Sequence, residues 1–281
     1  MSKRKFLITP LGVSNIDHPT RKDINEIIAK ENSFIDGESE MWEQSYIETQ
    51  YCDIYSATDD LVIRNKLTRG IDEKTKIILI PGCGSKTKLQ KHIINNYPEV
   101  EEVYCTDWSK TSLAHAQTDF YDGKVIYQVQ DTRKTTFPNN KFDMVIISNS
   151  IVSGQDLSNR LMVDECYRIL KPGGIFVGLF PTILGSCDVA LLRDNPKANW
   201  LLDGTINLYK NTFYERFQNV TQLFYSPLRL RRIFNESGFR DIEFEICFFD
   251  SDFCVKESEK IYGIPADSDI YLWEILVKSK K

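Results

Sequence analysis

Residues 77–87 read IILIPGCGSKT: an apolar run rich in Ile, broken by Gly82 and Gly84, then a polar step into a stretch of helical periodicity. Short Ile-rich runs favour strands. Two glycines at the strand's end let the backbone turn tightly and let a ligand come close, while the helix that follows offers free N–H groups and a positive dipole end. The fold is decided by whether this strand, turn and helix unit repeats.

It does. Strands are expected at KIILIP (76–81), EVYCTD (102–107), VIYQVQ (125–130), FDMVIIS (142–148) and GIFVGLF (174–180). Amphipathic segments separate them. Leu89, Ile93 and Ile94 mark a helix over 86–96; Leu113, Ala116 and Phe120 mark one capped by Ser109; Leu157, Leu161, Cys166 and Leu170 mark one over 156–170, stopped by KPGG. Such alternation demands crossover connections and a parallel sheet. From Pro181 to Tyr225 the pattern lapses, a length typical of a lid or binding insertion. It resumes with a helix from Ser226-Pro227 to Asn235, ended by Gly238, and two strands at 241–249 and 270–278. The first 75 residues are expected to be mainly helical, clearest at Asp23 to Lys30 and Tyr46 to Leu67. The domain reading is therefore a helical extension over 1–75 packed on a core over 76–281, with a lid inserted at 181–226.

With 281 residues, 42% apolar and 27% charged, the chain has the composition of an ordinary globular protein. A net charge of -5 provides no positive field for a polyanion or an acidic lipid surface, so neither nucleic acid nor membrane is an expected partner. The seven Cys (52, 83, 105, 166, 187, 247, 254) form no CxxC pair, which argues against a disulfide framework and a zinc cluster. No metal is expected. The start, MSKRKFLITPLGV, has too short an apolar run for a leader, and no stretch approaches the ~20 residues needed to span a bilayer. A reducing, cytoplasmic setting is expected. Aromatics reach 12%.

Asp107, at the tip of the second strand, is placed to accept two hydrogen bonds from a ribose diol, a pairing specific to a nucleoside-containing ligand. Its alternative is a structural role at the helix start near Ser109. The third strand ends in Gln130-Asp131-Thr132, where a carboxylate can meet an adenine amino group, and Asp143 after Phe142 reads as support for a strand start.

In PGCG (81–84), TDWS (106–109), QDT (130–132), FDMVIIS (142–148), YRILKPGGIFVGLF (167–180), and the terminal SPLRLRRIFNESGFRDIEFE and YLWEILVKS, the sequence resembles the class I S-adenosylmethionine-dependent methyltransferases. The resemblance implies an α/β, Rossmann-like seven-stranded mixed sheet in the order 3-2-1-4-5-7-6, strand seven antiparallel, with helices on both faces. It implies S-adenosylmethionine as cofactor and S-adenosylhomocysteine as product. The loop of Pro81, Gly82, Cys83 and Gly84 then holds the methionine part, Asp107 the ribose, and Asp131 with Thr132 the adenine; Trp108 lies against the adenine face or simply packs. Two departures stand out: Ile80 replaces the family's usual acid, and Lys86 its frequent third glycine. The amino group held by that acid must be met elsewhere, by the backbone of Gly82 or Ser148 or by Tyr46 or Tyr51.

On the acceptor side, a sulfonium donor is already activated, so desolvation and in-line positioning can serve without a dedicated base. His18 in the extension is the one histidine considered as a base; His92 and His115 read as surface or packing residues, and Cys83 as a small turn residue. Ser148, Asn149 and Ser150 leave the fourth strand where the methyl group sits in this fold, with Asn149 also a catalytic candidate. They lack the Asn/Asp-Pro-Pro-aromatic sequence of amide and exocyclic-amine methylators. Trp200, Tyr209, Phe213, Tyr214, Phe217, Phe224 and Tyr225 crowd the insertion; Phe213 and Phe217 with the turn between them read either as one buried helix face or as part of a lid walling an apolar acceptor pocket, with Trp200, Tyr209 and Tyr214 as acceptor contacts. Trp42, Tyr46 and Tyr51 are placed to close the other side. Arg229, Arg231 and Arg232 read as a solvated helix face. The function expected is methyl transfer to an O or N atom of a small molecule. Alternatives are a peptide or protein side-chain acceptor and a catalytically silent binding subunit; a nicotinamide dehydrogenase would need glycine at Thr87. The sequence leaves the oligomeric state open.

Overall fold

A computed structural model describes residues 7–9, 12–14, 38, 40–44, 46–48, 56–191, 200–215, 219–249 and 273–281. The repeating unit begins with β1 (Ile77–Pro81), α2 (Lys88–Asn96), β2 (Glu102–Asp107), α3 (Lys110–Asp119), β3 (Val125–Val129), β4 (Phe142–Ser148), α4 (Asp156–Ile169) and β5 (Leu170–Phe180), with α1 (Leu61–Leu67) before it. After the insertion come α6 (Pro227–Glu236), β9 (Arg240–Phe248) and β10 (Trp273–Lys280). One seven-stranded sheet runs β3-β2-β1-β4-β5-β10-β9, with β1 to β5 parallel and β10 antiparallel to both its neighbours. This is the expected order, the last strand in sequence lying inside the one before it.

The central strands are apolar at nearly every position because both faces are covered. Ile78 and Ile80 enter one core with Leu89, Ile93 and Cys105, while Leu79 between them enters the other with Val145, Ile147, Met162 and Phe234. That is the period of two expected of a strand. Asp143 accepts from the backbone N–H groups of Lys76 and Ile77 (3.1 and 2.9 Å) and from Lys171 Nζ (2.7 Å), so it fastens the start of β1 to β4 and β5.

Three boundaries differ from the expectation. The face of α4 that is buried carries Ser158, Asn159, Met162, Val163, Cys166 and Ile169, with Leu157 and Leu161 only half-buried; the helix is turned because its polar start is covered by Glu38. β5 begins at Leu170 rather than 174, since Leu170 already pairs with Phe142 before a register irregularity. The extension is not one helix from Tyr46 to Leu67: a short 3₁₀ turn (Ala57–Asp59) intervenes, and Asp60 starts α1 afresh by accepting from the N–H groups of Val62 (2.6 Å) and Ile63 (3.2 Å). Asp23 to Lys30 lies outside the described residues. Residues 40–44 and 46–48 are helical, and Leu7–Thr9 pairs antiparallel with Gly12–Ser14.

Between β5 and α6 the insertion holds α5 (Ile183–Ala190) and a small antiparallel sheet of β6 (Ile206–Asn207), β7 (Thr212–Glu215) and β8 (Val220–Leu223). Phe213, one of the two aromatics expected on a helix face, therefore sits in a strand; Phe217, the other, lies outside the described residues. Among the described residues no helix is long and apolar enough to cross a membrane.

Candidate cofactor and acceptor site

The site grows from the turn after β1. Gly82 has φ 61°, and a Cβ there would stand 2.3 Å from Cβ of Ser150, so the left-handed turn and the close approach of β4's exit both demand glycine. Gly84 has φ 62° and open space where its Cβ would be. Ser150 Oγ donates to the Pro81 carbonyl (3.0 Å), tying the two strand ends together. Asp107 reaches across from β2: one oxygen accepts from the Gly84 N–H and the other from the Ser109 N–H, both at 2.9 Å. Burial pushes its carboxyl above the ordinary range, opposed by those backbone donors. The Asp107 side chain thus braces the glycine loop as well as facing the space in front of it. Cys83 is half-buried and donates to the Gly84 carbonyl (3.4 Å); its neighbour Cys105 and desolvation hold its thiol well above its ordinary pKa, which leaves it no nucleophilic character.

In front of this loop lies a cavity of about 220 Å³. Of the residues expected at the cofactor, Gly82, Cys83, Gly84, Asp107, Trp108, Thr132, Ser148 and Tyr46 line it; Asn149 and Ser150, expected at the acceptor, line it too. Pro81 contributes its carbonyl to Ser150 from behind. Three polar atoms of lining residues are buried without a partner among the described residues: Gln90 Oε1, Trp108 Nε1 and Asn149 Oδ1. Unmet buried polar atoms are costly, so a polar ligand that answers them is favoured there. Orphan acceptors and a donor around a glycine cradle fit a nucleoside carrying an amino acid chain.

Ile80, where the family's acid is absent, is an ordinary core residue, 3% exposed, at the cavity floor. Asp131, expected at the adenine, also departs from its expected place. Asp131 does not line the cavity; its carboxylate is gripped by Arg133, with Nε at 3.0 Å from both oxygens and Nη2 at 2.7 Å. The same guanidinium lies 4.8 Å over the Trp108 ring and donates to Glu38 (3.2 Å). Glu38, 1% exposed, also accepts from Ser158 (2.5 Å) and Ser153. Burial holds its carboxyl above the ordinary range against the pull of those hydroxyls and of Arg133. The extension is thereby plugged into the domain beside Trp108. Arg133 was legible, one residue past QDT; Glu38 carried no signal, because its partners are remote in sequence. Gln90 was equally hidden, a polar residue inside an amphipathic helix.

The insertion's aromatics stand elsewhere. Trp200 packs edge-on against Phe213 (5.3 Å), which stacks on Phe224 (5.2 Å), all three buried. Tyr209 is 93% exposed, and Tyr214 bonds Asn219 at the surface (2.6 Å). None of the three proposed acceptor contacts lines the cavity: Trp200 joins the core cluster that also holds Ile183, Val189 and Leu179, while Tyr209 and Tyr214 face solvent. The aromatic walls come instead from Trp42, Tyr46 and Trp108. His18 and Tyr51 lie outside the described residues. His115 is exposed near Tyr46, and His92 bonds Asn96 away from the cavity. Arg229 pairs with Asp156 (3.0 Å) and Arg232 with Glu236 (2.7 Å), while Arg231 donates to the Ile242 carbonyl.

Residues 79–178 match the methyltransferase domain family. A demethylmenaquinone methyltransferase of Leptospira interrogans is 31% identical over 115 residues, covering 39% of this chain and 42% of that protein. The enzyme of the same name from Lactiplantibacillus plantarum is 28% identical over 154 residues, covering 51% and 62%. The chain thus spans less than two thirds of the length of these curated relatives. Among solved structures, an S-adenosylmethionine-dependent methyltransferase from Mesorhizobium loti superposes with a TM-score of 0.51 at 18% identity, over 80% of this chain and 100% of that one, a likeness of fold. The match runs from within β1 to within β5, so residues 79–178, with their glycine turn braced by an acid at the tip of β2, are similar to the methyltransferase domain family, and the strand order 3-2-1-4-5-10-9 is the one that the resemblance to class I S-adenosylmethionine-dependent methyltransferases implies.

Proposed function

We propose that the protein transfers a methyl group from S-adenosylmethionine to an O or N atom of a small molecule. The observation that carries this is the single cavity in which the glycine turn, Asp107 and the exit of β4 meet. When bound, the cofactor supplies a methyl group already activated on a sulfonium. The chain's own part is to bind, orient and dry the site. Gly82 and Gly84 let the backbone approach the amino acid portion, and Asp107 accepts from the ribose diol while keeping the loop in shape. Trp108, held flat by Arg133, offers its free face and indole N–H, with Thr132, at the base. Asp131 serves this end through Arg133. Gln90 Oε1, answered by no side chain, is suited to the ligand's ammonium group, the role the family gives to the acid absent at Ile80.

Ser148, Asn149 and Ser150 line the methyl end, and Trp42 and Tyr46 supply apolar walls from which water is excluded. The relatives named for demethylmenaquinone favour a small acceptor over a peptide. Calorimetric titration of the full chain with S-adenosylmethionine and S-adenosylhomocysteine tests the reading: micromolar binding of both is expected, and a folded sample that binds neither refutes it.

A further inference from the structure

One buried carboxyl plays no part in the account so far. Glu274 begins β10, opposite Cys247 of β9 and one residue before the Ile275–Phe180 pair with β5. Its Oε1 accepts from Asn149 Nδ2 at 2.8 Å. Its Oε2 is buried with no partner among the described residues, and so is Asn149 Oδ1. Asn149 itself lines the cavity from a left-handed backbone position (φ 53°), its N–H fixed to the Leu179 carbonyl (3.0 Å). A residue of β10, within the terminal YLWEILVKS stretch and remote in sequence from the glycine turn, thus reaches the exit of β4 through one amide.

The chemistry of the pair follows from its donors. An ionised carboxylate takes the amide N–H, which orients Asn149 with Oδ1 as the free atom and polarises the amide so that this oxygen becomes more negative. We propose that Glu274 is a positioning residue for the donor's charge: by accepting from Asn149 Nδ2 it orients and polarises the amide oxygen at the exit of β4, and so favours the cationic sulfonium of S-adenosylmethionine over the neutral thioether of its product. The inference rests on the methyl-transfer reading and adds to it a device that favours exchange of product for fresh donor.

Burial pushes the Glu274 carboxyl up to about 8, so it takes or loses its proton near neutrality. The titratable groups of the elements packed about it are Cys247 and Glu245 on β9, Lys66 on α1, which is paired with Glu245, and Cys187 on α5; Asp188 accepts from the neighbouring Trp273 indole (2.8 Å). None of these bonds Glu274, and desolvation is the main influence on it. A nearby cation favours the ionised form, so binding the sulfonium expels a proton and binding the thioether does not.

The test is calorimetric titration of full-length wild type and Glu274→Gln with S-adenosylmethionine and S-adenosylhomocysteine between about pH 6 and about pH 9. In wild type the preference for S-adenosylmethionine is expected to rise about tenfold with pH across that range, and in Glu274→Gln to lose that rise. The ligands' own amino groups titrate alike with both proteins and cancel in the comparison. Proton release, read in wild type from buffers of different ionisation enthalpy, is expected to be greater for the sulfonium ligand near pH 7.5; this serves even if the variant does not fold. An identical pH profile in the two proteins, or equal proton release for the two ligands, overturns the inference while leaving methyl transfer standing. Wild type that binds neither ligand overturns the methyl-transfer reading first, and this one with it.

Discussion

Two regions of this protein are rich in aromatic residues, and the fold treats them in opposite ways. The extension sends Trp42 and Tyr46 to the wall of the cavity. The insertion turns Trp200, Phe213 and Phe224 onto one another beneath a three-stranded sheet. The extension's Glu38 is anchored to Arg133, Ser153 and Ser158 of the domain. Apolar side chains must be buried against a neighbour or a ligand: the insertion's three rings join the core cluster that holds Ile183 and Val189 of α5 and Leu179 of β5, whereas Trp42 and Tyr46 stand at the cavity. An aromatic surplus alone therefore does not mark a lid.

The comparison is breakable. Phe213→Ala removes a stacked, buried ring from the insertion's core and is expected to lower stability by about 3–4 kcal/mol in chemical denaturation, with affinity for S-adenosylhomocysteine within about twofold of wild type. A large loss of affinity would make the insertion part of the site after all. Asp107→Ala removes both the brace of the glycine loop and the ribose acceptor; S-adenosylhomocysteine should bind about 30-fold or more weakly by calorimetry, roughly 2 kcal/mol or more. Trp42→Ala should show the converse of the Phe213 variant, weakening ligand binding by about fivefold, on the order of 1 kcal/mol, while the melting temperature changes little. Tyr209→Ala, at a side chain 93% exposed, should change stability by less than about 0.5 kcal/mol and leave binding untouched; a clear effect on turnover would instead show that this surface closes over an acceptor.

The parallel core was legible because its cause is local. Ile78 and Ile80 face one core and Leu79 the other, a period written in adjacent letters, and Gly82 is required by a turn whose geometry no other side chain meets. Asp107 was found because a carboxylate at a strand tip has little other use. Asp131 was found as a residue, yet its carboxylate turned out to hold Arg133, which the sequence could not weigh, since a strand-tip acid looks the same whether it faces ligand or a neighbouring guanidinium. Glu38 and Glu274 were not seen at all. Glu38 stands in a stretch without a motif and Glu274 in one that was read only as a strand, until chain segments remote in sequence bring them to Ser158 and to Asn149.

The sequence by itself determined the order of elements, the glycine turn and the acid that braces it, because hydrophobic period, turn sterics and helix capping act between residues near one another in the chain. Only the tertiary structure decided which aromatics meet the cavity, that Arg133 holds Asp131, and that Glu274 of β10 reaches Asn149 at the exit of β4. Those depend on burial and on pairing across the sheet, where a side chain's free energy is set by neighbours that the linear order does not reveal.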